Sequence, residues 1–541
     1  MTDAPPDRLA LVLSGAVSLG SFEAGVLDEL LYTLEHLANN GGRRWTIDVI
    51  TGASAGSMTA ALVARALLHD FRLREQLHTA WVERIDIRAL TTAIPPAALL
   101  CSTPIDEIAH DCIGGPPAGG SRPAIAPETL YLSFTLSNMN GVDFELHANL
   151  RQNARFTSTF FAEHRRFALT SASDDVVWDR VRQAAVCSGN FPIAFLPRMM
   201  ASDPDAVLGM AGLMPAEYCY VDGGLFNNEP IREAVQLAAL ADDGAVAATR
   251  KFLLVDATLN RSIADAAFDE TQPLARIAAR LVGSILGERG ANDWLRAQRV
   301  NNEIGWRDTF FTHLVGMVRD TAVGDVDRLI AALDAAGLQV IDDKRAVFPE
   351  RYPDPRAALL SGLARTREVH AALFDGLGDG RAQVLVRVLF LLNSIAGLQK
   401  KTLLDLDMIY AEPGETAGDK LFSFGGFFNR EWREHDYRVG RRKALQLLPQ
   451  ILGFSPADVP SERGPHGEDL YMSNGDYTHV TMKDADRRQR EILRDSMARK
   501  FAALARDYAP GPAFLGFAAR PLTSAVVSRI VKKKLGAMLE L

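Results

Sequence analysis

Two short stretches carry side chains that can do chemistry. In Gly52-Ala53-Ser54-Ala55-Gly56 a serine stands between two glycines, the G-x-S-x-G spacing of a nucleophile on a sharp strand-to-helix turn. In Asp222-Gly223-Gly224 a carboxylate is followed by two residues without side chains, so it can be brought close to another group without steric cost. A serine hydroxyl is a poor nucleophile until a neighbour accepts its proton. The chain has eleven histidines, and none carries a local signature that selects it as that neighbour. A two-residue arrangement fits better, in which Asp222 takes the proton from Ser54 directly. Such an aspartate needs a sheltered site that raises its basicity. The plainer alternative is a common glycine-rich turn at each place.

The elements that must position these groups are legible around them. The β-branched run Ile47, Val49 and Ile50 stops at Thr51, and an Ala/Leu-rich segment follows Gly56, so Trp45 to Ala64 reads as strand, turn and helix. The helix N-terminus beneath Ser54 supplies a partly positive field, and side chains at Gly52 or Gly56 would crowd the turn. Upstream, Leu9 to Leu13 reads as a strand buried on both faces and Phe22 to Leu37 as a helix, stopped by Asn39-Asn40-Gly41-Gly42. Strand, helix and strand form a right-handed unit whose loops share one sheet edge, which places the Gly15–Gly20 loop beside Ser54. That loop lacks the spacing of a dinucleotide fingerprint and is followed by no Gly-Lys-Ser/Thr. It reads as an oxyanion hole built from the backbone of Gly15, Ala16 and Val17, with a plain turn into the helix as the alternative. Only one strand precedes the elbow strand, which counts against an α/β-hydrolase with its histidine triad.

Further along, Phe71 to Leu90 reads as one amphipathic helix with Leu73, Leu77, Trp81 and Ile85 as a core stripe. Leu130 to Ser137 and Val142 to His147 read as two strands joined by a turn at Asn138 to Gly141. Arg165 to Thr170 and Tyr218 to Val221 read as strands, Val177 to Ala185 as a helix, and Phe252 to Val255 as a buried strand. Beyond about residue 260 the pattern is mostly helical: Leu274 to Leu286, Trp294 to Ile304, Val326 to Ala336 and Ala382 to Leu398. Leu404 to Tyr410 reads as a final strand. The cluster Phe422 to Phe428 with Arg433, Asp436 and Arg441 reads as core packing with a surface ion pair, or as a wall of an acyl pocket. Ala525 to Leu541 has an apolar face beside Lys532, Lys533 and Lys534, suited to an anionic membrane surface or to docking and oligomer contacts.

The net charge of −8 argues against a nucleic-acid partner. The four cysteines lack zinc-ligand spacing, and no metal or cofactor is expected. Few cysteines, an acidic N-terminus without a signal-peptide pattern and no apolar run of spanning length lead us to expect a cytoplasmic protein, peripheral to a membrane at most.

The chain resembles the patatin-like phospholipases, lipid acyl hydrolases with a Ser–Asp dyad. The resemblance is carried by Gly52 to Gly56, by Asp222-Gly223-Gly224, and by the flanks Asp48 to Thr51 and Leu225 to Pro230. Cys187 to Pro192 and Ala24 to Leu27 add to it, so that roughly residues 8 to 260 are covered. It implies Ser54 as nucleophile, Asp222 as its base, and a three-layer α/β/α core with a mostly parallel sheet. A catalytic domain at 8–260, with its core extending to about 415, would precede a largely helical region at 261–541. The loop departs from the family pattern: Ala16 and Val17 replace two glycines, and Leu19 replaces a Lys or Arg. That points to a less anionic substrate than phospholipid, or to another cation such as Arg198. The resemblance thus implies a lipid or acyl-ester substrate of the phospholipase A or lysophospholipase kind. The rivals are an esterase, thioesterase or acyltransferase on another acyl substrate, and a non-catalytic lipid-binding scaffold.

Overall fold

The computed structural model describes residues 6–541 except 96, 115–119, 150–153, 193, 204–215, 243–249, 259–267, 270–271, 273–291, 321–325, 346–352, 396–403, 474, 478 and 508–527. The expected helix at 274–286 and most of the Pro116–Ser121 loop lie outside the described residues.

The sheet is built around β1 (Asp7–Leu13), whose neighbours are β2 (Trp45–Gly52) and, later in the chain, β7 (Arg250–Asp256). Alternation along β1 divides the interior. Leu9, Leu11 and Leu13 join the large core with α1 (Gly20–Asn39) and α2 (Ala55–Leu68). Ala10 and Val12 face the other way, onto Ile231, Ala234 and Leu237 of α5 (Ile231–Ala241). Helices thus cover both faces of the sheet in an α/β/α sandwich, as buried parallel strands require. Among its described strands the order is β5 (Arg198–Ala201), β6 (Glu217–Asp222), β3 (Leu130–Asn149), β2, β1, β7, β8 (Leu406–Tyr410), with β4 (Ala154–Leu169) also on β3. β8 pairs parallel with β7, so residues after 400 return to the same sheet.

β3 sets how two neighbouring strands meet. β4 pairs with it from Leu130 to Asn149 and occupies one whole edge. β2 and β6 therefore share the other edge end to end: Gly52 lies opposite Phe134 in a parallel pair, and Asp222 opposite Leu136 in an antiparallel one. Two residues of strand span about 7 Å, so the ends of β2 and β6 are held face to face.

Two expectations about local structure need correction. Asn138 to Gly141 is not a hairpin turn but a bulge within the single strand β3. Asn138 Oδ1 accepts from the N–H groups of Asn140 and Gly141, and Gly141 takes a left-handed φ of 71°, so the extra residues are absorbed without reversing the chain. Phe71 to Leu90 is not one helix. It passes from a 3-10 turn (Phe71–Arg74) through an α turn to a π turn (Thr79–Arg84), and breaks at Ile85 and Asp86, which are extended. The Asp86 carboxylate, accepting from Arg88 N–H, caps the next turn, a competing bond that ends the helix. One more helix, α3 (Thr103–Cys112), has Pro104 in its first turn and carries Ile105, Ile108, Ala109 and Cys112 at helical spacing.

The second half of the chain forms α6 (Asn292–Asp320), α7 (Val326–Arg345), α8 (Pro355–Val369) and α9 (Asp379–Ile395), which share a separate core of Phe311, Leu363, Leu385 and Phe390. α10 (Arg430–Leu452) instead lies directly on α1. A Cβ at Gly25 would stand 1.9 Å from the Tyr437 carbonyl, and one at Gly440 would stand 2.1 Å from that of Phe22. Only glycines allow two backbones this close. Arg433, Asp436 and Arg441 are buried rather than paired at the surface. Arg441 donates to Asp28 (2.5 Å), Glu29 (2.7 Å) and Glu462 (2.5 Å), and Tyr437 donates to Asp28 (2.6 Å). Residues 528–538 are helical, and this end docks within the chain: Leu539 is buried, Arg490 of α11 (Arg487–Asp507) donates to its carbonyl (2.7 Å), and Lys532 pairs with Asp495. No helix among the described residues is long and apolar enough to cross a membrane.

Candidate active site

β2 ends at Gly52 and α2 begins at Ala55, leaving Ser54 at the junction with φ 52° and ψ −122°. This left-handed conformation costs a side-chain-bearing residue about 1–3 kcal/mol and persists where its surroundings impose it. The flanking glycines serve close approach. A Cβ at Gly52 would stand 2.7 Å from Gly56 O, and one at Gly56 would stand 2.5 Å from Leu13 O. The backbone strain thus falls on the serine itself, and the glycines give it room. Ser188, at the end of α4 (Asp175–Ser188), braces the turn: its Oγ accepts from Ser54 N–H (3.0 Å) and contacts Ser57 Oγ (2.7 Å).

Across the gap, Asp222 is the last residue of β6. Its Oδ2 accepts a 2.5 Å hydrogen bond from Ser54 Oγ, and its Oδ1 accepts from Gly224 N–H at 2.7 Å. The two side-chain-bearing partners are 6% and 3% exposed, so the contact is screened from water and electrostatically strong. The backbone of Asp222 is fixed by its N–H to Asn190 O (3.1 Å) and by Ser137 Oγ–H to its own carbonyl (2.6 Å). Gly223 is pressed onto β3, where a Cβ would stand 2.0 Å from Thr135 O.

The Gly15 loop closes on the same point. A Cβ at Gly15 would stand 2.9 Å from the Ser54 Cβ, and Asn228, just past the Asp222 turn, donates to Gly15 O (3.4 Å). Val17 has a left-handed φ of 53° and lines the cavity beside Ser54. Among the described residues, no loop or side-chain acceptor engages the N–H groups of Gly15, Ala16 and Val17. Ser188, Asn190 and Asn228 are not individually legible in the sequence as site residues; each acts through one backbone contact, which leaves no spacing signature.

A cavity leads away from Ser54 between α2, the π turn and α3; Met58, Leu62, Trp81, Ile85 and Ile108 are among its lining residues. Trp81 and Ile85 therefore do more than fill the core. Ser54 is the one hydroxyl and no charged side chain is among the described lining residues. Arg198, the cation suggested as a stand-in for the loop's missing Lys or Arg, is elsewhere. It is paired with Asp106 at 2.9 and 2.7 Å and lines a different cavity with Arg182 and Cys187. The described residues include no cluster of three or more His, Cys, Asp or Glu able to hold a metal ion.

Behind the loop lies a buried acidic group. Ser14 Oγ donates to Glu23 (3.5 Å), and Asp256 and Glu229 are buried nearby. Loss of hydration, and then the charge of Asp256, push the Glu23 pKa well above its ordinary value. Loss of hydration likewise raises that of Asp256. A carboxyl whose pKa is raised on folding holds its proton more tightly in the folded state. Its stabilising contribution is complete below the unfolded pKa of about 4.3 and is lost as the pH climbs through the raised value. Glu23→Gln, which mimics the protonated form, is expected to flatten the fall in melting temperature from pH 5 upward. Equal slopes for variant and wild type would contradict this assignment.

Residues 11–235 match the family model of the patatin-like phospholipases. A curated relative, "Uncharacterized protein y4iI" of Sinorhizobium fredii (strain NBRC 101917 / NGR234), is 24% identical over an alignment that covers 45% of this chain. The chain spans about half (47%) of that relative's length. With the sandwich fold and the matched segment in agreement, the chain carries a patatin-like phospholipase domain over residues 11–235.

Proposed function

We propose that the protein is a serine hydrolase that cleaves carboxylic esters of lipids through an acyl-enzyme. The observation that carries this reading is the 2.5 Å hydrogen bond from Ser54 Oγ to Asp222 Oδ2, with Ser54 lining an uncharged, apolar cavity. Ser54 Oγ attacks the ester carbonyl carbon while its proton passes to Asp222. The carbonyl oxygen, now anionic, takes hydrogen bonds from N–H groups of Gly15, Ala16 and Val17, and the α2 N-terminus adds its field. Collapse breaks the ester C–O bond, and Asp222 returns the proton to the departing alcohol. Water then attacks the acyl-enzyme with Asp222 again as base, releasing the acid and restoring Ser54. Gly52, Gly56, Gly223 and Gly224 let the two elements meet. The lining favours a hydrocarbon acyl chain in the cavity and the polar part of the substrate outside it, which suits a neutral or weakly charged ester.

Labelling by a fluorophosphonate probe tests the reading. Wild type is expected to be labelled and Ser54→Ala not, with the same variant losing hydrolysis across a panel of aryl esters and lysophospholipids. Equal labelling of the two proteins would remove Ser54 as nucleophile, and labelling without turnover of any ester or lipid would favour a lipid-binding role.

A further inference from the structure

The cavity at Ser54 is not closed by residues 11–235 alone. Phe424 and Phe427, from the aromatic–glycine stretch that follows β8, line it too. The cavity lies on a seam between two apolar clusters. Leu62 on one side belongs to the main core, whereas Phe427 and Phe195 on the other belong to a second cluster with Phe428, Trp432 and Met482. We propose that Phe424 and Phe427 determine which acyl chains the Ser54 site accepts, by forming the wall that the patatin-like domain does not itself provide. This rests on Ser54 being the nucleophile.

The wall is continuous with the site. Phe191 follows Asn190, whose carbonyl holds Asp222 N–H. Its ring meets Phe424 edge to face at 5.7 Å, and Phe424 meets Phe427 in the same way at 5.8 Å. Such pairs resist displacement by more than their buried area. The segment is also held in a strained shape, since Leu421 (φ 52°) and Ser423 (φ 68°) are non-glycine residues in left-handed conformations. Strain of this kind needs over-determined surroundings, and three buried side chains supply them. Ser18 Oγ donates to the Ser423 carbonyl and accepts from Gly426 N–H (3.0 Å). Arg433 donates to Gly426 O (2.9 Å) and Phe427 O (3.3 Å). The Asp436 carboxylate accepts from the N–H groups of Ala417 (2.6 Å) and Gly418 (2.9 Å). Ser18 belongs to the Gly15–Gly20 loop, so the wall and that loop are one hydrogen-bonded unit. A rigid hydrocarbon wall discriminates by volume, at about 10-fold or more per misfit methylene.

The test uses the full-length chain and p-nitrophenyl esters from acetate to palmitate. Phe424→Ala and Phe427→Ala are expected to raise the long-to-short ratio of kcat/KM by about 10-fold, and Phe424→Trp to lower it by a similar factor. A melting temperature near that of wild type shows that each variant is folded, and Phe424→Leu replaces any that is not. In parallel, a fluorescent fatty acid is titrated into each variant in the Ser54→Ala background, where the Trp variant is expected to bind it about 10-fold more weakly. An unchanged chain-length profile, with hydrolysis still dependent on Ser54, overturns the proposal. If wild type hydrolyses nothing, the hydrolase reading fails by itself. The fatty-acid arm then decides: a shift of that size supports the wall, and equal affinities overturn it.

Discussion

Asp222→Asn is expected to lower kcat for ester hydrolysis by about 10⁴-fold, the size seen when the acidic member of a serine hydrolase site becomes an amide. The amide is the same size and can still hydrogen-bond Ser54 Oγ and Gly224 N–H, so the fold and the melting temperature should hold. What it cannot do is accept the proton that Ser54 must lose before it bonds to carbon. Ser54→Ala should fall further, on the order of 10⁶-fold, because no oxygen remains to form the acyl-enzyme. The proposed mechanism has both groups serve one step, so the two effects are expected not to add. Steady-state kinetics on wild type, both single variants and the double variant check this. A double variant much slower than Ser54→Ala would mean that Asp222 acts apart from Ser54.

The largest effect on stability is expected at Arg441, far from any chemistry. Burial opposes its charge, but Asp28, Tyr437, Glu29 and Glu462 outweigh that penalty and hold its pKa above the ordinary value. Arg441→Met keeps much of the stem and strips the positive charge from among these groups. Removing one member of a buried ionic set costs about 3–5 kcal/mol; Arg74 still pairs with Asp28 and Glu462, whereas Glu29 is left with the Tyr471 hydroxyl in place of a cation. Urea denaturation of wild type and variant measures the cost. Pairing Arg441→Met with Glu29→Gln should recover part of the loss, since it removes that stranded charge. A midpoint unchanged in Arg441→Met would show that the network does not hold α10 on α1.

The elements nearest Ser54 are legible in the sequence because local chemistry decides them. The continuous apolar run Leu9–Leu13 and the β-branched run Ile47–Thr51, each ended by small residues, read as strands. The β1–α1–β2 connection has one favoured hand, and topology alone therefore places the Gly15 loop beside Ser54. What stays hidden is set by distant contacts. The bulge at Asn138–Gly141 carries the residues of a turn, and only pairing with β4 on both sides of it makes it part of one strand. The switch from 3-10 to π winding at Phe71–Arg84 leaves the apolar spacing intact, so periodicity reports a uniform helix. Arg433, Asp436 and Arg441 look like surface charges because charged residues on a helix usually are. Their burial stems from glycines on two helices hundreds of residues apart, which no local window contains. Ser188 and Asn190 lie within a stretch recognisable as small residues before a proline, but their contacts with Ser54 and Asp222 appear only once β2 and β6 are brought end to end.

That end-to-end arrangement makes β3 a graduated scale on which the spacing of Ser54 and Asp222 is counted in residues. Phe134 carries one mark and Leu136 the other. Inserting a single residue between them would move Asp222 away by about 3.3 Å and turn its side of the sheet over, whereas lengthening the chain between β5 and β6 would leave the count untouched. Variation in the separate helical core of α6 to α9 can therefore accumulate without altering the distance between the two groups. The count along β3 cannot change without losing it.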